Sequence, residues 1–154
     1  MKREILFRGK LCHERKWVEG NLIIAKNVQP YIIPSAIFEP DGHHLIIDSD
    51  NPFWVIPETV GQFTGLTDKN GVKIFEGDKY TTTPKSPVYE IRFISGCFCG
   101  GIIGYENKDF MPIGFDLDED GNLYPDFTWV STSLKVIGNI HDNPESVSYT
   151  HLTL

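Results

Sequence analysis

Apolar residues along this chain come in short runs between turn residues, and no stretch keeps the period of about 3.6 residues that a long helix needs. In residues 88–93 apolar and polar side chains alternate, apart from Tyr89, which predicts a half-buried antiparallel strand. Short runs spaced by about ten residues are typical of a barrel or a sandwich. The other predicted strands cover residues 5–7, 17–24, 31–33, 36–38, 44–47, 72–75, 80–83, 127–130 and 134–140.

Turn residues separate these runs and indicate where the chain reverses. The densest signal is residues 67–71 (TDKNG), in which Asp and Gly suit the first and fourth positions of a type I turn, while Asn-Gly also suits a type I′ hairpin. Residues 118–121 (DEDG) predict a further hairpin turn. We expect positive φ angles at Gly65 and Gly71. Residues 56–60 fit one helical turn that opens with a proline.

The composition favours strands over helices. The chain contains two alanines, Ala25 and Ala36, against 9 valines, 17 isoleucines and 10 threonines. Alanine is the strongest helix former, whereas β-branched side chains are stiff and pack well on a pleated sheet. We therefore predict a mainly β protein of short antiparallel strands in a barrel-like architecture with little helix.

The length of 154 residues corresponds to about one domain, or to two small subdomains that share a core. We predict an N-terminal β-meander subdomain over residues 1–60 and a C-terminal barrel-like β subdomain over residues 61–145. Residues 146–154 follow a natural stop at residues 142–144 and carry no charge. We interpret them as a tail outside the folded unit and a candidate for non-native sequence.

Charge is unevenly distributed in an acidic chain of net charge −7. Residues 1–20 hold six basic side chains against three acidic ones, and residues 106–126 hold seven acidic side chains against one lysine. The overall charge disfavours unspecific attraction to phosphate or to anionic lipid. The two segments are interpreted as solvated surfaces, or alternatively as surfaces for head-to-tail attraction between subunits or for a small docking patch.

The sequence also predicts a compartment. Charged residues recur through residue 19, so no signal peptide is expected at the N-terminus, and no apolar run approaches the roughly 20 residues of a membrane span. Three cysteines form an odd count that argues against a disulfide framework and fits a reducing environment. We expect a cytoplasmic protein that does not contact a membrane.

Two constellations raise the question of metal binding. Residues 116–121 (DLDEDG) imitate the start of a calcium loop, but Phe127 stands where a bidentate glutamate is required, so a charged hairpin tip is preferred. Cys97 and Cys99 would point to one face of a strand and suit zinc, yet the second pair of ligands is missing. Whether either constellation binds metal stays open, and we expect no cofactor.

Catalytic motifs are absent from the sequence. It contains no nucleophile elbow, phosphate-binding loop or dinucleotide fingerprint. His13, His43, His44 and His141 are potential bases, but their spacing pairs none of them with a nucleophile. We therefore expect a protein that is not an enzyme.

Basic and aromatic residues are interleaved near the N-terminus. Arg8, Lys10 and Trp17 lie there, with Phe7 and Tyr31 near in sequence. Such a combination can stack on single-stranded nucleic acid and neutralise it. The simpler interpretation is that the aromatic residues anchor strands in the core. The net negative charge of the chain also makes nucleic-acid binding less favourable.

Several blocks resemble the YopX family of phage and prophage proteins. They are residues 5–10 (ILFRGK), 17–20 (WVEG), 60–71 (VGQFTGLTDKNG), 74–78 (IFEGD) and 136–144 (VIGNIHDNP). The blocks are ordered and span nearly the whole chain, although residues 79–130 match no family pattern. The resemblance implies a mainly β protein with a barrel-like portion, encoded on a phage or prophage of a bacterium. It implies no known activity and carries over no catalytic residues.

Most residues of the shared central block can be explained by the backbone turns that they are expected to form, without a role in binding. Residues 76–78 (EGD) resemble the Gly-Asp turn of SH3-like barrels, where Gly77 would permit the bend and the Asp78 side chain would bond local N–H groups. Arg8, Lys10 and Gln62 are not obviously needed by a core and are our candidates for a binding surface. We therefore expect a non-enzymatic phage accessory protein that acts through binding to a host or phage protein or through self-association. The alternative is a small nucleic-acid-binding module of phage replication or regulation.

Overall fold

The computed structural model of this chain describes residues 3–34, 53–104 and 110–143. The chain divides into two units, residues 1–63 and residues 64–154. Strands dominate the described residues, whose helical segments are a 3₁₀ helix of three residues and an α-helix of six residues. The prediction of a mainly β protein with little helix is confirmed. The described strands form open antiparallel sheets and not a closed barrel.

The first unit is an antiparallel sheet. Its strands are β1 (Phe7–Lys10), β2 (Trp17–Ile23), β3 (Tyr31–Ile33) and the first residues of β4 (Gly61–Thr67), and the 3₁₀ helix Pro57–Thr59 confirms the predicted proline-initiated turn. The strands β1, β2 and β3 form a meander, and β4 pairs with the other edge of β1. The buried core consists of Leu11, Ile32 and Val55.

The first strand lies later in the sequence than its apolar residues predict. The apolar residues predict a strand over residues 5–7, but β1 begins at Phe7 and includes Arg8, Gly9 and Lys10. A Cβ atom on Gly9 would lie 3.0 Å from the Cβ atom of Val55. The glycine therefore allows tight packing of a continuous strand and does not form a turn.

The second unit contains two antiparallel sheets and the α-helix. Its elements are β5 (Lys73–Phe75), β6 (Asp78–Thr81), β7 (Tyr89–Ile94), β8 (Cys97–Ile102), β9 (Met111–Pro112), β10 (Phe115–Leu117), β11 (Leu123–Pro125), α1 (Thr128–Ser133) and β12 (Lys135–Asn139). One sheet has the order β12-β6-β7-β8-β9, and the other is the hairpin of β10 and β11, while β5 lies beside β4. The buried core of this unit includes Ile74, Tyr80, Ile91, Val130 and Leu134.

The prediction of a strand at residues 127–130 is wrong, because residues 128–130 form the first half of the helix α1. The Asp126 carboxylate accepts hydrogen bonds from the backbone N–H of Thr128 at 3.0 Å and from its hydroxyl at 2.6 Å. These bonds satisfy a donor at the helix start that has no partner within the helix. Val130 and Leu134, four residues apart, are both buried in the core, so tertiary packing outweighs the β propensity of the segment.

The turn at residues 68–71 is built around a buried carboxylate. Gly71 N–H donates to the carbonyl of Asp68 at 3.0 Å, which confirms the predicted turn, and the φ angles of Gly71 and Gly65 are +78° and +90° as expected. Asp68 Oδ1 accepts from the backbone N–H groups of Asn70 and Val72 at 2.8 and 2.9 Å. Asp68 Oδ2 accepts from the N–H of Val136 at 2.9 Å, which joins the turn to β12.

The Gly-Asp turn also behaves as predicted. Gly77 has a φ angle of +90°, and the Asp78 carboxylate accepts from the backbone N–H of Phe75 at 2.8 Å. The Gly77 N–H donates to Ile91 O, and the Gly77 carbonyl accepts from Ile140 N–H, both at 2.9 Å. The turn therefore contacts β7 and the residues after β12 through backbone hydrogen bonds.

Some predictions fall outside the described residues. They concern the strands at residues 36–38 and 44–47, His43 and His44, and the tail at residues 146–154. In the part of the chain that the structure describes, no helix has the length and hydropathy needed to cross a membrane.

We predict that Asp68→Asn lowers the free energy of unfolding by about 2 kcal/mol, since an amide nitrogen in place of Oδ2 would face the Val136 N–H donor. The amide oxygen can still serve the Asn70 and Val72 bonds. Urea denaturation followed by circular dichroism measures the loss.

Asp118→Asn is the matched control. Asp118 Oδ1 accepts from Asp120 N–H and Asn122 N–H at 2.9 and 2.8 Å in the same turn geometry, but Asp118 is exposed. We expect less than about half of the effect of Asp68→Asn, because water can solvate groups on an exposed turn. Equal losses in the two variants would contradict the role given to the bond between Asp68 and Val136.

Candidate functional site

Arg8 and Lys10, two of the three candidate binding residues, share one face of β1. They are two residues apart in a strand, so their side chains point the same way. The Arg8 guanidinium carbon lies 4.7 Å and the Lys10 ammonium nitrogen 5.9 Å from the centroid of the Trp17 ring, and Trp17 is the register partner of Lys10. The structure therefore brings Arg8, Lys10 and Trp17 together as a cation–π cluster.

Gln62 does not join this cluster. It lies on β4 opposite Phe7, and directly opposed residues of antiparallel strands point to the same face of the sheet. Phe7 and Arg8 are adjacent in β1 and therefore point to opposite faces. The sequence grouped Gln62 with the two basic residues, but the register separates them. Their role in binding stays a prediction.

The described part of the acidic segment includes a two-stranded hairpin, which β10 and β11 form. Asp116, Asp118, Glu119 and Asp120 are all exposed there, and Gly121 N–H donates to the carbonyl of Asp118 at 3.0 Å. The predicted hairpin tip is confirmed. Asp118 Oδ1 is engaged by the backbone of its own turn, and among the described residues no three metal-ligating side chains are grouped around a common point.

Large apolar side chains are exposed on and beside this hairpin. Leu117 and Leu123 are directly opposed across the two strands and are 47% and 49% exposed. Tyr124 is paired with Asp116, and Phe127 follows β11 with 58% exposure. Leu117 and Leu123 point to one face of the two strands, and Asp116 and Tyr124 point to the other. We use the term hairpin surface for both faces of the hairpin and its tip, with Leu117, Leu123, Tyr124 and Phe127 as its apolar residues and Asp116, Asp118, Glu119, Asp120 and Asp126 as its acidic ones.

A cavity of about 230 Å³ lies in the second unit beside the hairpin. Tyr80, Tyr89, Phe115 and Trp129 contribute to its lining, with Met111, Thr82 and the acidic residue Asp116. Tyr80 and Tyr89 are stacked, with ring centroids 5.1 Å apart and planes at 15°. The indole N–H of Trp129 donates to Phe115 O at 3.0 Å, which fixes the orientation of that ring.

Tyr80 is held against a glycine in the cavity wall. A Cβ atom on Gly100 would lie 1.9 Å from the Tyr80 hydroxyl oxygen, so a side chain at this position would displace the tyrosine. Burial raises the pKa of Tyr80 well above its usual range, and the neighbouring Tyr89 adds to this.

The hairpin places negative charge at the cavity. Asp116 is exposed, and its Oδ1 accepts from the backbone N–H of Leu117 at 2.8 Å. Desolvation raises the pKa of Tyr124, and the carboxylates of Asp116, Asp126 and Asp118 raise it further. The three carboxylates therefore place negative charge around Tyr124.

The Cys97–Cys99 pair has the geometry expected of a C-x-C sequence on a strand. The two sulfur atoms lie 3.5 Å apart on β8, with Cys99 buried and Cys97 half-buried. Burial raises the pKa of the Cys99 thiol to about 11, with further contributions from the hydrogen bond with Cys97 and from its charge. The described residues bring no third metal-ligating side chain to this pair.

Of the four histidine candidates, the structure describes His13 and His141. His13 is exposed in the turn after β1, and the His141 backbone N–H donates to Asn139 Oδ1 at 3.0 Å in the turn after β12.

The sequence analysis did not identify the residues that line the cavity as a candidate site, because the pattern of its aromatic residues indicates only strand and core positions. The signal available in the sequence was Asp116, which was interpreted as part of a charged turn.

Comparison with known proteins identifies the family of this two-unit, mainly β protein. The model of the family described as "YopX protein" matches residues 6–147. The chain therefore belongs to the YopX family, as the blocks of sequence indicated. A search of the curated proteins found no match.

Among solved structures, the chain is similar to the crystal structure of protein EF1440 from Enterococcus faecalis. The two are 20% identical with a TM-score of 0.49, and the match covers 94% of this chain and 98% of that one.

We predict that Cys99 reacts with iodoacetamide at pH 8 at least about tenfold more slowly than Cys97 and Cys12. Its pKa of about 11 leaves little thiolate, and the side chain is buried. The rate of Cys99 should rise with pH up to that pKa. Timed alkylation with peptide mass spectrometry gives the three rates, and equal rates for Cys97 and Cys99 in the folded protein would refute the assignment.

Proposed function

We propose that this YopX-family chain is a non-enzymatic binding protein whose hairpin surface docks a basic, partly apolar segment of a protein partner. The observation that carries this proposal is the combination of exposed apolar side chains and acidic groups on one small hairpin. The setting we propose is the cytoplasm of a bacterial cell, with the protein encoded by a phage or prophage, as the family resemblance implies.

The apolar side chains supply the driving force of the proposed contact. Leu117 and Leu123, 47% and 49% exposed, form an apolar pair on one face of the hairpin. Tyr124, 41% exposed, lies on the other face, and Phe127, 58% exposed, follows β11. Apolar side chains that are rimmed by polar groups mark interaction surfaces more often than scattered ones do. Aromatic residues such as Tyr124 and Phe127 are enriched at the centres of protein interfaces.

The charges determine the kind of partner. Five carboxylates, at Asp116, Asp118, Glu119, Asp120 and Asp126, lie on the hairpin or directly after it. Complementary charge raises the rate of association and excludes partners of like charge. A lysine- or arginine-rich segment fits these carboxylates, whereas a phosphate backbone is repelled by them.

Nucleic-acid binding is the weaker candidate. Its support is the cluster of Arg8 and Lys10 with Trp17. The two cations already occupy positions over the Trp17 ring, where a base would have to stack. The half of the chain that carries the hairpin adds negative charge, which opposes a polyanion.

We predict that Leu117→Ser/Leu123→Ser weakens binding of a fluorescein-labelled peptide of alternating lysine and leucine by about tenfold or more. The double change removes the exposed cross-strand pair and leaves the acidic residues in place. Fluorescence anisotropy should show that the peptide binds the unchanged protein, that binding weakens with added salt, and that a glutamate–leucine peptide does not bind.

Ile24→Ser/Val28→Ser is the matched control, because these side chains are 73% and 42% exposed in the first unit. It should leave peptide affinity within about twofold. Equal weakening in the two double variants, or no binding of the basic peptide at low salt, would overturn the proposal. Analytical ultracentrifugation separates a further outcome: a dimer lost only in Leu117→Ser/Leu123→Ser would make a second copy the occupant and would overturn the foreign basic partner.

A further inference from the structure

The cavity beside the hairpin combines aromatic walls with an acidic side chain. Its lining includes the rings of Tyr80, Tyr89 and Trp129, together with the thioether of Met111. Among the described residues that line it, Asp116 is the only charged one. A cavity with aromatic walls and a few polar groups is typical of a site for a small ligand or a ligand side chain.

The cavity walls are fixed before any ligand arrives. The Trp129 ring is held by its indole hydrogen bond to Phe115 O, and Tyr80 is stacked on Tyr89. The space over Gly100 accommodates the Tyr80 hydroxyl, which a larger residue would displace. Preorganised walls reduce the entropy that binding must overcome.

Charge decides between the ligand classes that aromatic walls accept. Aromatic faces bind nucleobases by stacking and bind organic cations through the ring quadrupole. A nucleotide would bring its phosphate to Asp116 and to the carboxylates of Asp118 and Asp126, which repel it. An organic cation is attracted both by the aromatic faces and by the carboxylate of Asp116.

We infer that this cavity, lined by Tyr80, Tyr89, Trp129 and Asp116, is a binding site for an organic cation of the substituted-ammonium or guanidinium class. The volume of about 230 Å³ suits a group of this size and not a large cofactor. The inference deepens the proposed function, since the cation can be the side chain of a basic segment docked on the hairpin surface. A free small cation has the same chemistry and is the second source.

Choline and its uncharged carbon analogue 3,3-dimethylbutan-1-ol test the site without any protein partner. Two-dimensional proton–nitrogen NMR resolves the indole N–H signals of Trp17, Trp54 and Trp129, and Trp129→Phe assigns the last. We expect choline to shift the Trp129 signal in a saturable manner and to leave the other two unmoved. The uncharged analogue should bind at least about fivefold more weakly.

Asp116→Asn and Glu119→Gln form a matched pair, because each removes one exposed carboxylate of the hairpin and only Asp116 lines the cavity. The first should weaken choline by about fivefold or more and the second by less than about twofold. Equal binding of the uncharged analogue, equal effects of the two variants, or no shift at Trp129 would each overturn the cation site.

The two sources and the two proposals are separated by one more comparison. N-acetyl-arginine methylamide represents the side chain of a protein partner, and choline represents a free cation. A dissociation constant at least about tenfold lower for one of them identifies the source.

If the small cations bind at Trp129 and the basic peptide does not bind, the cavity is confirmed and the docking function fails. If the peptide binds and no cation moves the Trp129 signal, the docking function stands and the cavity assignment fails.

Discussion

The carboxylate of Asp68 connects the local and the long-range parts of the second unit. One oxygen accepts the N–H groups of Asn70 and Val72 within its own turn, and the other accepts the N–H of Val136 on β12, while Asp68 itself is 3% exposed. A buried carboxylate is costly unless its lone pairs are satisfied, so the bond to Val136 stabilises the turn and β12 against each other. Lys69 N–H donates to Leu134 O at 2.9 Å beside it, which strengthens the same connection.

The position of β12 affects the two neighbouring elements that line the cavity. β12 pairs with β6, which carries Tyr80, and α1 directly precedes β12 and carries Trp129. Both aromatic residues line the cavity, so its walls depend on the elements that Asp68 and the Gly77 turn hold together. A site built on strands and a short helix is held more firmly than one built on loops alone.

Sequence reasoning succeeded where the determining interaction is local. The turns at residues 68–71, 76–78 and 118–121 formed as predicted, because Gly supplies a positive φ angle and Asp bonds N–H groups within a few residues of itself. It failed at residues 127–130, where β propensity predicted a strand. The helix there depends on the Asp126 bonds and on burial of Val130 and Leu134 against residues distant in sequence.

The mainly β class and the turn positions follow from residue types that act on their own backbone, so the amino-acid order is enough to specify them. The candidate sites follow from register and packing, which sum contacts between residues far apart in the chain. Register puts Gln62 on the opposite face from Arg8 and Lys10, and packing gathers Tyr80, Tyr89, Asp116 and Trp129 around one cavity. Local patterns carry no record of such long-range pairings, and for that reason the folded chain alone reveals them.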